Sequence, residues 1–287
     1  MANTILGLRA ETSIHAGTGQ NIGGVDMPIQ REAHTGWPCV FGSAMKGALR
    51  NHAETRITPT LGWIEAVFGP PDGNKHAGAL AVTDARLLLL PIRSLTGHFK
   101  WVTCPAVLSR LDRDLEMVGK TPVNCTINTL EDGHVATFGG EGKIFLEEFQ
   151  FTQTKDTNLS KFITELVKFG IEKEALEKQL IVMRNDDFSD FCRTATAIAP
   201  HIAIENKTKT VVDGALWYEE TLPPDTLLYV MLLANRARNN VTPPLSDIEV
   251  LNKVIDMFVG EGMKPYLQIG GNETVGMGWC KVKEDKP

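Results

Sequence analysis

The chain has 287 residues, is 43% hydrophobic and 22% charged, and carries a net charge of −6. That size and mixture suit one large or two small globular domains and exclude a disordered or fibrous chain. The acidic balance argues against a general nucleic-acid binder, although residues 131–190, with thirteen acidic and seven basic side chains, account for the whole excess. Residues 1–56 are nearly neutral and hold His15, His34 and His52, so a local basic strip remains open to them.

Thr4 to Ile14 alternates in part between apolar and polar side chains and reads as a half-buried strand. The glycine-rich stretch from Gly17 to Gly24 reads as a loop that can take positive φ and approach a ligand closely. Gly42 to Arg50 reads as a helix start with Ser43 as its N-cap, and Lys46 and Arg50, four apart, share one face. A second helix runs from about Pro59 to Phe68, and Gly78 to Leu90 reads as a strand. Pro105 opens a helix that continues through Ala106 to Val118, with Gly119 just past its end.

Further along, Lys143 to Thr152 reads as a strand, and Leu159 to Phe169 and Lys173 to Met183 as helices of an acidic, solvated insertion. Ile198 to Val212, rich in Ala, Ile and Thr, reads as a hairpin with Asn206 at the turn. Leu216 to Thr221 and Leu227 to Ala234 read as strands parted by Pro223-Pro224. Ser246 caps a helix to Phe258, and the strands Tyr266–Ile269 and Trp279–Val282 flank a glycine loop from Gly270 to Gly278. Strands and helices mix without a strict βαβ alternation, so an α+β fold is expected.

The most apolar run, Leu87 to Ile92, is far short of the ~18 residues needed to cross a bilayer, and Met1-Ala2-Asn3-Thr4 lacks the start of a secretory leader. The five cysteines (Cys39, Cys104, Cys125, Cys192, Cys280) are never at CxxC spacing. This speaks against a disulfide framework or a zinc knuckle, and a cytoplasmic location without membrane association is expected.

Asp26 follows two glycines and precedes Met27-Pro28. Its plain reading is a turn residue bonding its own backbone. Its functional reading is a carboxylate on a mobile loop that holds a divalent metal or takes a proton beside a phosphate. His15 is structural or an acid, base or phosphate contact. Gln30, Arg31 and His34 form a polar surface segment or donors to a phosphate. The start of the 42–50 helix, with Ser43, Lys46 and Arg50, offers free N–H groups and positive charge to phosphate. It lacks the companions of SxxK acyl-transfer enzymes and the Walker A pattern. In the loop from Gly270 to Gly278 only Gly276-x-Gly278 fits a dinucleotide fingerprint, and it leads into a strand. The loop is either a long hairpin or a backbone track for an extended ligand.

Three segments carry a resemblance: Ser13-Ile14-His15-Ala16-Gly17-Thr18-Gly19-Gln20; Val25-Asp26-Met27-Pro28-Ile29-Gln30-Arg31-Glu32; and His34-Thr35-Gly36 with Phe41-Gly42-Ser43-Ala44-Met45-Lys46-Gly47-Ala48-Leu49-Arg50. Together with the run from Gly214 to Pro224 and the loop from Gly270 to Gly278, they resemble the RAMP superfamily, in particular the repeated backbone subunits of type III-B (Cmr) CRISPR effector complexes. The resemblance spans nearly the whole chain in order. It implies a single domain over 1–287 with an RRM-like (ferredoxin-like) core, a largely helical acidic insertion at about 131–190, and a β-hairpin thumb at about 184–213.

It further implies copies stacked along a guide RNA, joined by other Cmr subunits. Complementary target RNA would be cut at regular intervals beside Asp26 with a divalent metal, Mg²⁺ or Mn²⁺, held by that aspartate. His15, Glu219 and Glu220 occupy places near the family's cleavage site. Lys46, Arg50, Ser43, Arg31, Gly270, Gly271, Gly276 and Gly278 would line the RNA. A scaffold subunit that binds RNA without cutting is the alternative.

Overall fold

The computed structural model describes residues 1–20, 24–56, 61–71, 76–238, 244–259 and 262–285. The strands are β1 Ala2–Ala10, β2 Cys39–Val40, β3 Leu80–Val82, β4 Ala85–Arg93, β5 Phe99–Thr103, β6 His134–Thr137, β7 Gly142–Leu146, β8 Phe149–Lys155, β9 Leu180–Val182, β10 Ala197–Ile204, β11 Val211–Thr221, β12 Leu227–Ala234, β13 Tyr266–Gln268 and β14 Trp279–Glu284. The helices are α1 Gly42–Arg56, α2 Leu61–Phe68, α3 Pro105–Met117, α4 Leu159–Lys168, α5 Lys173–Gln179, α6 Asn185–Thr194 and α7 Asp247–Val259.

Most strands join one mixed sheet in the order β13-β14-β1-β12-β4-β5-β9-β6-β8-β7, with β2 on β4 and β3 on β12. Among the described strand pairs of this sheet, β5–β9 and β6–β8 run parallel and the others antiparallel. β10 and β11 form a separate two-stranded sheet. The fold is therefore α+β, as expected.

The centre of the sheet is buried on both faces, which is why its strands read as continuous apolar runs. Leu87, Leu88, Leu89 and Leu90 are all fully buried in β4, as is nearly all of β12. Each such side chain contributes about 1.5–3 kcal/mol by leaving water. β1 is covered on both sides, not half-buried as its alternation suggests. Its Gly7 makes room for Phe169, because a Cβ there would meet the ring at 2.7 Å. α1 seats Met45, Leu49 and Ala53 in the core, and α7 seats Val250, Val254 and Met257.

Several boundaries differ from the sequence reading, each for a local reason. α1 starts before Ser43: Phe41 supplies the first carbonyl, to Met45 N at 3.0 Å, and Asp84 Oδ1 accepts from Gly42 N at 2.7 Å. A carboxylate from another element thus does the capping that Ser43 was expected to do. Gly78 to Leu90 breaks at Thr83-Asp84 into β3 and β4. The strand read over Lys143–Thr152 is a tight hairpin, turned at Glu147 with φ 49°.

Residues 131–190 are not mainly helical. They supply β6 to β9, and β9 pairs in parallel with β5, so this segment extends the sheet. The apolar triplet Leu180–Val182 closes α5 and enters the sheet, fully buried. Asn185–Thr194 is helix, and the hairpin starts at Ala197. Its second strand absorbs Leu216–Thr221, which the sequence suggested was a separate strand. Part of the Gly17–Gly24 loop and the start of the helix read from Pro59 lie outside the described residues. Ser246 caps α7 as expected, its hydroxyl and backbone N–H both meeting Glu249 Oε2 at 2.8 Å.

Candidate active site at the root of the hairpin

Three segments converge where the β10–β11 hairpin leaves the body. The first is Ser13 to Gly17, just beyond the end of β1; the second is the Asp26 loop; the third is the Gly270–Gly278 loop. β11 organises them through its alternation, since Glu219 and Glu220 point to opposite faces.

Asp26 is half-exposed, and its Oδ2 accepts from Tyr218 N at 2.8 Å. Among the described residues its other oxygen makes no hydrogen bond. The loop is stitched on by Met27 N to Tyr218 O and Glu220 N to Met27 O, both 3.0 Å. Asp26 is thus more than a turn residue bonding its own backbone: it is anchored to the hairpin root and still open to solvent.

His15 is buried, and its Nδ1 lies 2.8 Å from the Glu220 carbonyl oxygen. A carbonyl only accepts, so Nδ1 carries a hydrogen and donates it. Nε2 faces the backbone of Gly17, where a Cβ would come within 2.6 Å.

Glu220 is buried and paired with Arg31. It also accepts from Thr196 Oγ1 at 2.6 Å and Ile29 N at 3.1 Å. Arg31 donates as well to the carbonyls of Gly36 and Cys192, at 2.8 and 2.7 Å. Its guanidinium is therefore spent inside the protein, where the sequence reading had it on RNA. Glu219, also buried, faces the other way and accepts from Asn272 Nδ2 at 2.7 Å. Gln30 bridges Gly17 O at 3.0 Å and Phe41 N at 2.6 Å, whereas His34 is exposed.

Lys46 and Arg50 share a face of α1 as expected but differ in freedom. Arg50 is tied to Glu54 Oε1 at 2.7 Å and Gly69 O at 3.0 Å. Lys46 has no carboxylate partner among the described residues. Burial, and secondarily the Arg50 charge, hold its ammonium below the usual lysine range. A half-desolvated, unpaired cation is suited to a phosphate. Ser43 is exposed on the first turn of the same helix.

The glycine loop is no open track of N–H groups. Gly271 N donates to His15 O at 2.9 Å, Gly276 N to Glu273 O at 2.9 Å and Gly278 N to Ser13 O at 2.8 Å. Gly270 has φ +83°, and a Cβ on it would sit 2.3 Å from the His15 carbonyl oxygen. Gly270 and Gly271 thus pack closely against the His15 segment, whereas a Cβ on Gly278 would meet Ile269 O at 2.2 Å and one on Gly276 would meet open space. Sequence reasoning missed Asn272 and Thr196. Asn272 had one available signal: an asparagine inside a glycine loop tolerates the left-handed conformation it adopts, φ 61°.

Among the described residues no three His, Cys, Asp or Glu side chains gather as a metal cage, and no helix is long and apolar enough to cross a membrane.

The chain belongs to the RAMP superfamily, whose sequence profile matches residues 8–281. It is 38% identical over 290 residues to the CRISPR system Cmr endoribonuclease Cmr4 of Pyrococcus furiosus, covering 97% of this chain and 94% of that one. Its fold is similar to the crystal structure of oligomeric Cmr4 from Pyrococcus furiosus, with a TM-score of 0.78, 32% identity and all of both chains covered. A likeness of fold extends to a subunit in the type III-B Cmr-beta complex bound to cognate target RNA, with a TM-score of 0.77 at 19% identity over 99% of this chain and 98% of that one.

Proposed function

We propose that this chain is a guide-RNA-binding, filament-forming subunit of a CRISPR RNA-targeting complex, and that it cuts complementary target RNA at regular intervals beside Asp26. The observation that carries this reading is the Asp26–Tyr218 hydrogen bond, which fixes a half-exposed carboxylate to the root of a projecting hairpin. The similarity to a Cmr endoribonuclease over nearly the full length supports the activity.

The order β14-β1-β12-β4, with α1 between β1 and β4 and α7 between β12 and β14, supports an RRM-like (ferredoxin-like) core. The hairpin is then the thumb. It exposes Ile198, Ile202, Leu216 and Tyr218, an apolar face suited to prising a nucleotide from a duplex. Partners are the guide RNA, the target RNA, further copies of this chain and other Cmr subunits. Copies that stack along an RNA meet head to tail and need not close.

A divalent metal, Mg²⁺ or Mn²⁺, fits Asp26 as a shared ion: one carboxylate with a free oxygen, the remaining ligands being phosphate oxygens and water. When bound, it supplies charge stabilisation on the phosphate. The chain's own contribution is alignment. With a nucleotide displaced, the ribose 2′-oxygen lies in line with the phosphorus and the departing 5′-oxygen, which can contribute several kcal/mol, up to roughly 7–11. The 2′-oxygen bonds to phosphorus as the 5′-oxygen leaves; the first loses a proton and the second gains one. Water takes the first proton and supplies the second; His15, buried with its ring held by the Glu220 carbonyl and Nε2 against Gly17, supports the wall of the site. Glu220 and Glu219 act as struts beneath Asp26 and His15, and Lys46 and Ser43 take guide phosphates.

The test is reconstitution with guide RNA and complementary target. Expected is a ladder of evenly spaced products that EDTA abolishes and that disappears when the target is DNA, which lacks the 2′-hydroxyl. Bound but uncut RNA target would favour the scaffold alternative.

A further inference from the structure

The Gly270–Gly278 loop is expected on sequence grounds to touch RNA, yet the backbone N–H groups of Gly271, Val275, Gly276, Met277 and Gly278 are spent inside the protein. It bonds to both sides of the site. Gly271 N and Gly278 N hold the His15 segment through His15 O and Ser13 O. Asn272 Nδ2 holds the hairpin root through Glu219 Oε1 at 2.7 Å, and it is the only side chain among the described residues to hydrogen-bond the Glu219 carboxylate. Glu219 is buried, so losing that donor would leave its charge poorly compensated. On the next residue, Glu220 O accepts from His15 Nδ1. One residue back, Tyr218 N holds Asp26.

We infer that Asn272 is a positioning residue: through Glu219 it clasps the hairpin root against the His15 segment and thereby sets Asp26 and His15 relative to one another. The loop is a clasp for the site, not an RNA track. The inference rests on the proposed cleavage for its kinetic readout, but its structural half stands apart from it.

Asp26 and His15 are not hydrogen-bonded to each other; each is fixed to a different residue of Tyr218–Glu220. Whatever holds that tripeptide in place therefore fixes the pair. On the Glu220 side Arg31 and Thr196 do so, and on the Glu219 side Asn272 does so. A displacement of about 1 Å in such a site can cost about 10²-fold in rate.

The test uses Asn272→Asp, which keeps the shape and the left-handed tolerance but sets two carboxylates face to face. The exchanged pair Asn272→Asp with Glu219→Gln restores a donor and an acceptor in reversed order. In the assembled complex with guide and target RNA, Asn272→Asp is expected to slow single-turnover cleavage between about tenfold and 10²-fold with target affinity unchanged, and the double variant to recover most of the rate. Amide hydrogen exchange on the RNA-free chain is expected to quicken at Met27, Ile29 and Glu220 in Asn272→Asp and to return to normal in the double variant.

Unchanged exchange in Asn272→Asp overturns the clasp. So does a fall in target affinity equal to the fall in rate, which would make the loop an RNA contact. So does a double variant that regains exchange protection but no activity, which would make Glu219 a chemical participant. If the wild-type complex fails to cut at all, the proposed function falls, and the exchange arm still decides the clasp.

Discussion

Replacing Arg31 by methionine separates a structural role from an RNA-binding one. The side chain is 23% exposed and the Glu220 carboxylate 7% exposed, so the pair is mostly dry. Among the described residues, Arg31→Met leaves the Glu220 carboxylate with Thr196 Oγ1 and Ile29 N, and it strips the Gly36 and Cys192 carbonyls of their guanidinium donor. Breaking a buried pair from one side costs about 3–5 kcal/mol, and the partial exposure of Arg31 argues for the lower end, about 3. At about 2–4 °C per kcal/mol, the RNA-free chain should melt roughly 6–12 °C lower. Circular dichroism at one fixed protein concentration is the assay, because self-association shifts the midpoint. Adding Glu220→Gln removes the stranded charge and should return most of the loss. A midpoint unchanged within about 2 °C, with guide affinity reduced, would overturn this assignment and return Arg31 to the RNA surface.

Gly270→Ala puts a Cβ 2.3 Å from the His15 carbonyl at φ +83°, so it should cost at least about 1–3 kcal/mol in a thermal melt and slow cleavage with it. Lys46 has a folded pKa below its unfolded 10.5, so between the two values the unfolded chain holds the extra proton and stability rises with pH. Phosphate favours the ammonium, so guide affinity should fall as pH climbs through that lowered value, and Lys46→Arg should flatten the profile. Burial pushes the Cys39 thiol up to about 12 and Cys104 to about 11, and raises Cys192 and Cys280 as well. Iodoacetamide on the native chain near neutral pH should therefore label only the half-buried Cys125, and slowly, by mass spectrometry of peptides; rapid labelling of Cys192 would contradict the packing of α6.

The core elements were legible because their signals are local. The apolar runs of β4 and β12, Pro105 in the first turn of α3 and Ser246 with Glu249 at α7 each declare themselves within a few residues. What failed depended on distant partners. Nothing near Ser43 says that Asp84, far along the chain, takes over the helix N-terminus. Nothing near Leu180–Val182 says that β5 awaits it. At the site, Asp26, His15, Glu219 and Glu220 do gather; the sequence marked Asp26 and His15 as candidates by residue type and loop position, and Glu219 and Glu220 only through a resemblance. The internal partners of Arg31 were not legible, because an arginine in a polar stretch looks the same whether it faces a phosphate or a buried glutamate from 189 residues away.

The most direct measurement is single-turnover cleavage by the reconstituted complex carrying Asp26→Asn, beside its affinity for target RNA. The substitution keeps an oxygen for the Tyr218 N–H and removes only the charge. Intact assembly, unchanged target affinity and no evenly spaced products are expected if Asp26 is the cleaving group. Cutting at the wild-type rate would contradict that role.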